Sequence, residues 1–457
     1  MAAESADLVI LGGGSGGYAC ALRASQLGKS VILIDRDKLG GTCLHRGCIP
    51  TKALLHAAEI ADSARESEAF GVRATLDGID MPKVNAYRDQ VVGRLYKGLQ
   101  GLVKSRNVKL VEGTGRLIGA NAVQVGDTIY SGTTVVLATG SYARTLPGLE
   151  IGGRIMTSDQ ALDLEYVPKS VIVLGGGVIG VEFASIWRSF GAEVTVVEAL
   201  PHLVPNEDES CSKALERAFR KRGIALSLGT RFASATQNAD GVQVSLEDGT
   251  TLQADLLLVA VGRGPNTAGM GFDEQGITMD RGWVLVDERL RTNLPNVYAV
   301  GDITPGLQLA HRGFQQGIFV AEEIAGLHPE AIPDINIPRV TYCEPEVASV
   351  GLTEAQAREQ FGDGVTVYEY NLGGNGKSQI LATTGFIKLV QRTDGPVIGV
   401  HMVGSRVGEQ IGEAQLIVNW EANPDDVATL IHAHPTQNEA MGEAHLALAG
   451  KPLHAHA

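Results

Sequence analysis

Residues 8–17 read LVILGGGSGG and residues 171–180 read VIVLGGGVIG. Around these two stretches the chain repeats itself: Gly12, Gly14, Gly17, Gly28 and Asp35 recur as Gly175, Gly177, Gly180, Gly191 and Glu198, each pair 163 positions apart. Five matches at a single offset mark an internal duplication. Each copy opens on a β-branched apolar run, turns at glycines, continues into an amphipathic helix and ends a second strand on an acid. That order is the strand, turn, helix, strand of a dinucleotide-binding unit, so the expected fold is α/β with two Rossmann-like domains.

The copies align again further on, where TVVLATG ending at Gly140 resembles DLLLVAVG ending at Gly262, now only 122 positions apart. The first copy therefore carries 41 extra residues, 163 less 122. The insertion follows Asp35 and contains Cys43 and Cys48. After Gly301-Asp302 come an apolar helix around Gln315 to Ile324 and a Pro-containing junction from Ile332 to Pro338. The remainder shows a strand at Arg339 to Cys343, a helix capped by Thr353 with Gln356 three residues on, and a hairpin turning at Asp394-Gly395. Two helices follow, near Gly408 to Trp420 and Thr436 to Leu448, which makes the third unit α+β. The expected division is 1–146 for the first nucleotide unit, 147–265 for the second, 266–335 for a segment completing the first, and 336–457 for the last.

Composition narrows the function classes. With 457 residues the chain is long enough for several cores, and its 57 glycines, without a Gly-X-Y period, point to many tight turns. The net charge of −14, with no Lys/Arg cluster, removes the counterion-release term that nucleic-acid binding needs. Five cysteines suit a reducing compartment better than a secreted disulfide framework. Glu4 and Asp7 stand where a signal peptide would be basic, and no run of 18 apolar residues offers a membrane span. A cytoplasmic protein is expected.

The glycine positions have separate jobs. Gly12 and Gly175 permit the turn, Gly14 and Gly177 let backbone N–H groups approach a pyrophosphate, and Gly17 and Gly180 let the helix pack closely. Asp35 and Glu198 are placed for ribose hydroxyls, and an acid at Glu198 with no arginine cluster after it favours NAD over NADP. Between the copies stands Gly40-Gly41-Thr42-Cys43-Leu44-His45-Arg46-Gly47-Cys48-Ile49-Pro50-Thr51-Lys52. In a regular helix two residues five apart have Cα atoms roughly 8 to 9 Å apart, beyond the ~7 Å that a disulfide spans. Pairing of Cys43 with Cys48 requires a distorted helix, for which Gly47 and Pro50 supply the means. Such a strained, partly accessible pair is of the redox-active kind. A zinc site would want closer spacing and a second ligand pair, which the sequence lacks. Cys20, Cys211 and Cys343 stand alone and are expected to be inert thiols.

The run GGTCLHRGCIPTK, with the two glycine fingerprints, resembles the flavoprotein disulfide reductases and, within them, the dihydrolipoyl dehydrogenases. Supporting matches are Ala138-Thr139-Gly140, VGRGPNT from Val261 to Thr267, VYAVGD from Val297 to Asp302 and HPTQNEA from His434 to Ala440. The resemblance implies FAD on Gly12, Gly14, Gly17, Asp35, Arg36, Gly41, Thr42, Lys52, Gly115, Ala138, Thr139, Gly140, Gly301 and Asp302. It further brings Leu309, Ala310 and His311 to the flavin as a helix N-terminus. NAD would lie on Gly175, Gly177, Val178, Ile179, Gly180, Glu198, Val261 and Gly262. It also implies that Lys52 pairs with Glu182 at the flavin, that Cys43 is the interchange thiol and Cys48 the flavin-side thiol, and that no metal takes part.

His434 and Glu439 match the family's acid/base pair. Five residues turn a helix by about 500°, so the two share no helix face. His434 is therefore expected before a helix begun near Pro435, with Glu439 folded back toward its ring. His432 is assigned to packing. The resemblance implies a homodimer, in which His434 serves the partner's cysteines, and lipoyl domains and the acyltransferase core of a 2-oxo acid dehydrogenase complex, or a lipoylated carrier protein, as partners. His45 departs from the family's usual Asn, and solvent exposure is its expected fate. The nearest alternative is a mycothione- or glutathione-type reductase. Val178 and Gly180 stand where glutathione reductases carry Tyr and Ala, and mercuric reductase's C-terminal cysteine pair is absent.

Overall fold

A computed structural model describes residues 2–455. The duplication visible in the sequence is a duplication of sheets. In the first, strands Lys109–Glu112, Val31–Asp35, Ala2–Leu11 and Thr128–Leu137 run parallel in that order, and Val297–Ala299 joins the last of them. In the second, Ala225–Leu228, Glu193–Glu198, Ser170–Leu174, Leu256–Val259 and Ile155–Thr157 repeat the order. The fifth strand arrives from the far side of the second unit in one case and from just before the strand Ser170–Leu174 in the other. Such fully covered parallel strands read as unbroken apolar runs, and Leu8 to Ile10 and Val171 to Val173 are buried on both faces. The first strand begins earlier than Leu8, because residues 2–6 pair with Thr128 to Gly132.

Helices Ser15–Gln26 and Val178–Phe190 follow the glycine turns of the two copies. The last glycine of each motif lets its helix close on the turn: a Cβ on Gly17 would lie 1.8 Å from the Gly12 carbonyl oxygen, and one on Gly180 would lie 1.9 Å from that of Gly175. Helix Ala310–Ile324 packs on Ser15–Gln26 just as tightly, since a Cβ on Gly317 would sit 2.3 Å from the Gly16 oxygen.

The insertion in the first copy forms helices Gly41–His45, Cys48–Glu66 and Met81–Ser105. Its apolar side reaches beyond its own unit, for Leu54, Ala58 and Met81 join a core with Val181, Phe183 and Trp187 of the second unit and Val347, Phe386 and Val403 of the third. The third unit is α+β, a five-stranded antiparallel sheet in the order Arg339–Thr341, Glu346–Gly351, Val397–Gly404, Phe386–Arg392, Val365–Asn371. Thr353 caps helix Glu354–Phe361 through a full capping box with Gln356, and Asp394 takes the left-handed turn of the hairpin with φ +56°. Helix Val407–Asn419 stands where one was expected. The final helix, Glu439–Leu448, begins four residues later than expected. The Glu439 carboxylate accepts from Thr436 N at 2.7 Å, which closes a turn over 436–439 and keeps the helix from starting at Pro435. Among the described residues no helix is long and apolar enough to cross a membrane.

Candidate redox and nucleotide site

One cavity of about 1190 Å³ runs between the units and gathers most of the expected residues: Gly14, Thr42, Cys43, Cys48, Lys52, Ala138, Gly140, Gly301, Asp302, Leu309, Ala310 and His311 on one side, Gly175, Gly177, Val178, Ile179, Glu182, Glu198, Val261 and Gly262 on the other. Gly12, Gly17 and Gly180 lie behind its walls and set their shape. Asp35, half-buried beside the first glycine turn, accepts from Gly13 N and Asp37 N as Glu198 accepts from Gly176 N and Leu200 N. Thr139 ties the first unit to Asn266 by its hydroxyl, at 2.6 Å from the Asn266 oxygen. Arg36 is exposed, and Gly115 is buried where a Cβ would strike Leu11 and Val123; neither lines the cavity.

The cavity suits two nucleotides joined by pyrophosphates. Helices Ser15–Gln26 and Val178–Phe190 point their N-termini into it, and neither has a side-chain cap or an acid in its first turn, so their free N–H groups are available to phosphate oxygens. Gly41 is at φ +59°, and a Cβ there would come within 2.7 Å of Gly14 Cα, so bare glycines on both sides keep the approach open. Gln308, next to the N-terminus of helix Ala310–Ile324, has a buried Nε2 with no partner in the protein, a donor left for a ligand.

The cysteine segment breaks where the disulfide geometry requires. Helix Gly41–His45 ends at Arg46, Gly47 takes a non-helical conformation, and a new helix starts at Cys48. Gly47 makes the break, because Pro50 sits in the first turn of the new helix, where a missing N–H costs little. The two cysteines, unbridged and partly buried, lie close enough that each acts on the other's charge. Cys43, together with the Lys52 charge, draws Cys48 below the ordinary thiol range against its burial, while Cys48 and burial push Cys43 up. Of the two, Cys48 is the thiol whose charged form its surroundings favour. Cys20, Cys211 and Cys343 are buried, and burial pushes each of them up.

Lys52 Nζ donates to both oxygens of Glu182 at 2.8 Å. Burial opposes its charge, but the Glu182 carboxylate holds Lys52 above the ordinary lysine range. Two further contacts had no signal in the sequence: Tyr342 N donates to Glu182 Oε1 at 3.0 Å, and the Tyr342 ring lies 4.8 Å from Lys52 Nζ. A second set was hidden inside quoted motifs. Ser141, just after Gly140, donates to Asp302 Oδ2 at 2.6 Å and receives Arg263 Nε at 2.8 Å. His45 corrects its expectation: it is half-buried, 2.9 Å from the Leu39 oxygen and edge-on to Tyr96 of helix Met81–Ser105, which packs over it.

His434 and Glu439 form the expected pair, Nδ1 to Oε1 at 2.7 Å. Burial opposes its charge, but the Thr436 N–H and the His434 ring together hold Glu439 below the ordinary carboxylate range. The His434 side chain is 77% exposed, and the pair does not line the cavity of its own chain. His432 is more than packing: its Nε2 meets Glu413 Oε1 at 2.8 Å.

Residues 6–317 match the family described as pyridine nucleotide-disulphide oxidoreductase, and residues 337–445 match the dimerisation domain of that family. The chain is similar to a dihydrolipoyl dehydrogenase of Bacillus subtilis, 39% identical over 98% of this chain and 99% of the relative. It is 40% identical to a mitochondrial dihydrolipoyl dehydrogenase of Arabidopsis thaliana, over 98% of this chain and 91% of the relative. Among solved structures, LpdA from Mycobacterium tuberculosis superposes with a TM-score of 0.90 at 28% identity, covering 98% of this chain and all of that one.

Proposed function

The chain belongs to the pyridine nucleotide-disulphide oxidoreductase family, and from that premise we propose that it is an NAD-dependent flavoprotein that oxidises protein-bound dihydrolipoamide to lipoamide. The observation that carries this reading is the single cavity in which a close cysteine pair, a Lys–Glu ion pair and two uncapped helix N-termini meet. Held by the glycine turn and the residues of the first unit, FAD would supply the two-electron link between the cysteine pair and NAD+.

The residues divide the work. His434, oriented by Glu439, takes a proton from a substrate thiol, and the thiolate attacks Cys43 of the oxidised pair. A bond forms between substrate sulfur and Cys43 while the Cys43–Cys48 bond breaks, and Cys48 leaves as the thiolate that Lys52 stabilises. The second substrate thiol then attacks the substrate sulfur and closes the lipoamide ring, its proton passing to the Cys43 sulfur that departs. Lys52, fixed by Glu182, places a cation where reduction adds negative charge to the flavin. The helix N-termini at Ser15 and Val178 hold the pyrophosphates, and Asp35 and Glu198 the ribose hydroxyls.

The residues 337–445 support a homodimer. Because His434 and Glu439 lie outside the cavity of their own chain, we assign them to the partner's cysteines. Fully exposed Ile431, at 99%, lies three residues from His434 and suits burial in that contact. Lipoyl domains and the acyltransferase core of a 2-oxo acid dehydrogenase complex, or a lipoylated carrier, are the proposed partners, in the cytoplasm. The domain limits are proposed near residues 146, 265 and 335, with the short pairing of Ser141–Ala143 and Arg263–Pro265 bridging the first unit and the second. A panel comparing dihydrolipoamide and NAD+ with glutathione or mycothiol disulfide and NADH or NADPH tests the reading. Fast turnover only of the small disulfides overturns it.

A further inference from the structure

His434 lies within the segment 432–438 and Glu439 follows directly on it, and both ends of that segment meet one carboxylate. Glu413, on helix Val407–Asn419, takes His432 Nε2 on Oε1 at 2.8 Å and a short hydrogen bond from Asn438 Nδ2 on Oε2. His432 lies two residues before His434, and Asn438 is the N-cap of the helix whose first residue is Glu439. The middle of the segment is held separately by neutral groups, Asn375 Nδ2 on the Thr436 oxygen at 3.0 Å and Gln437 Nε2 on the Ser405 oxygen at 2.8 Å. Only Glu413 is charged and spans both ends.

We propose that Glu413 is a positioning residue for dithiol oxidation, gripping His432 and Asn438 so that the imidazole and carboxylate of the acid/base pair stay in register. This rests on the role of His434 given above. A clamp of this kind matters because a shift of about 1 Å in a positioned base can cost a hundredfold in rate. It also fixes a charge beside the pair. His432 faces Glu413 from one helix, Glu439 and His445 from another, and His434 along its own loop. The bond to Glu413, against burial, raises His432 above the ordinary histidine range, and of the two clamp members it is the His432 cation that Glu439 feels. Without Glu413, His432 loses the partner that favours its charged form, and Glu439 moves back up toward the ordinary carboxylate range.

The test uses the FAD-loaded dimer carrying Glu413→Gln, Glu413→Asp or His434→Gln, and measures each half-reaction by rapid mixing. For Glu413→Gln, reduction by dihydrolipoamide is expected to slow about tenfold or more. The acid limb of its pH profile should move to higher pH. Reduction by NADH should remain within about twofold of the parent, and Glu413→Asp should restore part of the loss. An unchanged dithiol rate and an unmoved acid limb overturn the proposal, as does an equal fall in both half-reactions. His434→Gln separates the two ideas, because an unimpaired dithiol rate in that variant overturns the assignment of the base itself.

Discussion

Lys52 and Glu182 are joined by two hydrogen bonds of 2.8 Å although they come from different copies of the duplicated fold, one from the insertion that carries the cysteines and the other from the helix of the second glycine motif. Glu182 is almost wholly buried, at 2% exposure, and Tyr342 of the third unit donates to it as well. All three units therefore meet at one ion pair. Replacing Lys52 by Met removes the cation that faces the reduced flavin and leaves the carboxylate buried. Its flavin potential should become more negative by about 30 to 60 mV, the equivalent of roughly 1.4 to 2.8 kcal/mol for two electrons. Potentiometric titration against a reference dye checks this, and an unchanged potential excludes Lys52 from the flavin.

The two thiols should be distinguishable by spectrum. Cys48 is drawn below the ordinary thiol range and Cys43 is pushed above it, so the donor of a thiolate-to-flavin charge-transfer band is Cys48. Cys43→Ser, whose hydroxyl can donate to Cys48, is expected to keep long-wavelength absorbance without a reductant, and Cys48→Ser to lack it. On raising pH the band should grow in below the pH of an ordinary thiol. In Lys52→Met its midpoint should rise, because the nearby cation is gone. A band that persists in Cys48→Ser reverses the assignment.

The parts of this architecture that depend on backbone sterics were legible in the sequence. Gly17 and Gly180 declare themselves because no other residue fits under 2 Å from a carbonyl oxygen. The spacing of Cys43 and Cys48 implied a broken helix, and Gly47 breaks it. What stayed hidden depends on units meeting in space. Tyr342 reaches Lys52 only because the third unit docks on the insertion, and Glu413 reaches His432 across 19 positions of chain. His45 belongs with them, because the ring it meets edge-on, Tyr96, stands on helix Met81–Ser105.

Asp208 links stability to pH. It caps helix Glu209–Lys221, accepts from Glu354 N at 3.0 Å in the third unit, and accepts from the buried Lys388 Nζ at 2.8 Å. Burial opposes its charge, but His401, Lys388 and the Glu354 N–H hold the carboxyl well below the usual range. Burial also pushes His401 down, so the cation facing Asp208 at neutral pH is Lys388. A depressed carboxylate adds stability that is full above its unfolded pKa, about 4, and fades as pH falls through the window below it. Asp208→Asn should therefore cost about 2 kcal/mol at pH 7, with Glu354 still facing Lys388, and progressively less under acid conditions. Denaturant melts of both proteins at several pH values check the trend, and a cost that grows on acidification refutes it.

The duplication makes one last pair of outcomes separable. Gly17 and Gly180 hold equivalent positions, and a Cβ at either overlaps a carbonyl oxygen of its own turn, at 1.8 and 1.9 Å. Valine at either site must push a helix away from its strand and its free N–H groups away from a phosphate, yet the two helices serve different nucleotides. Gly17→Val should release FAD, giving colourless protein after gel filtration. Gly180→Val should stay yellow and still be reduced by dihydrolipoamide, while its affinity for NAD falls by about tenfold or more, as expected when a charge-assisted hydrogen bond of about 1.5 to 3 kcal/mol is lost. Flavin absorbance, dithiol half-reaction rate and NADH titration resolve the two cases. Loss of FAD from Gly180→Val, with Gly17→Val retaining it, exchanges the nucleotides between the copies, and equal loss from both means that the second helix supports the fold more than it holds NAD.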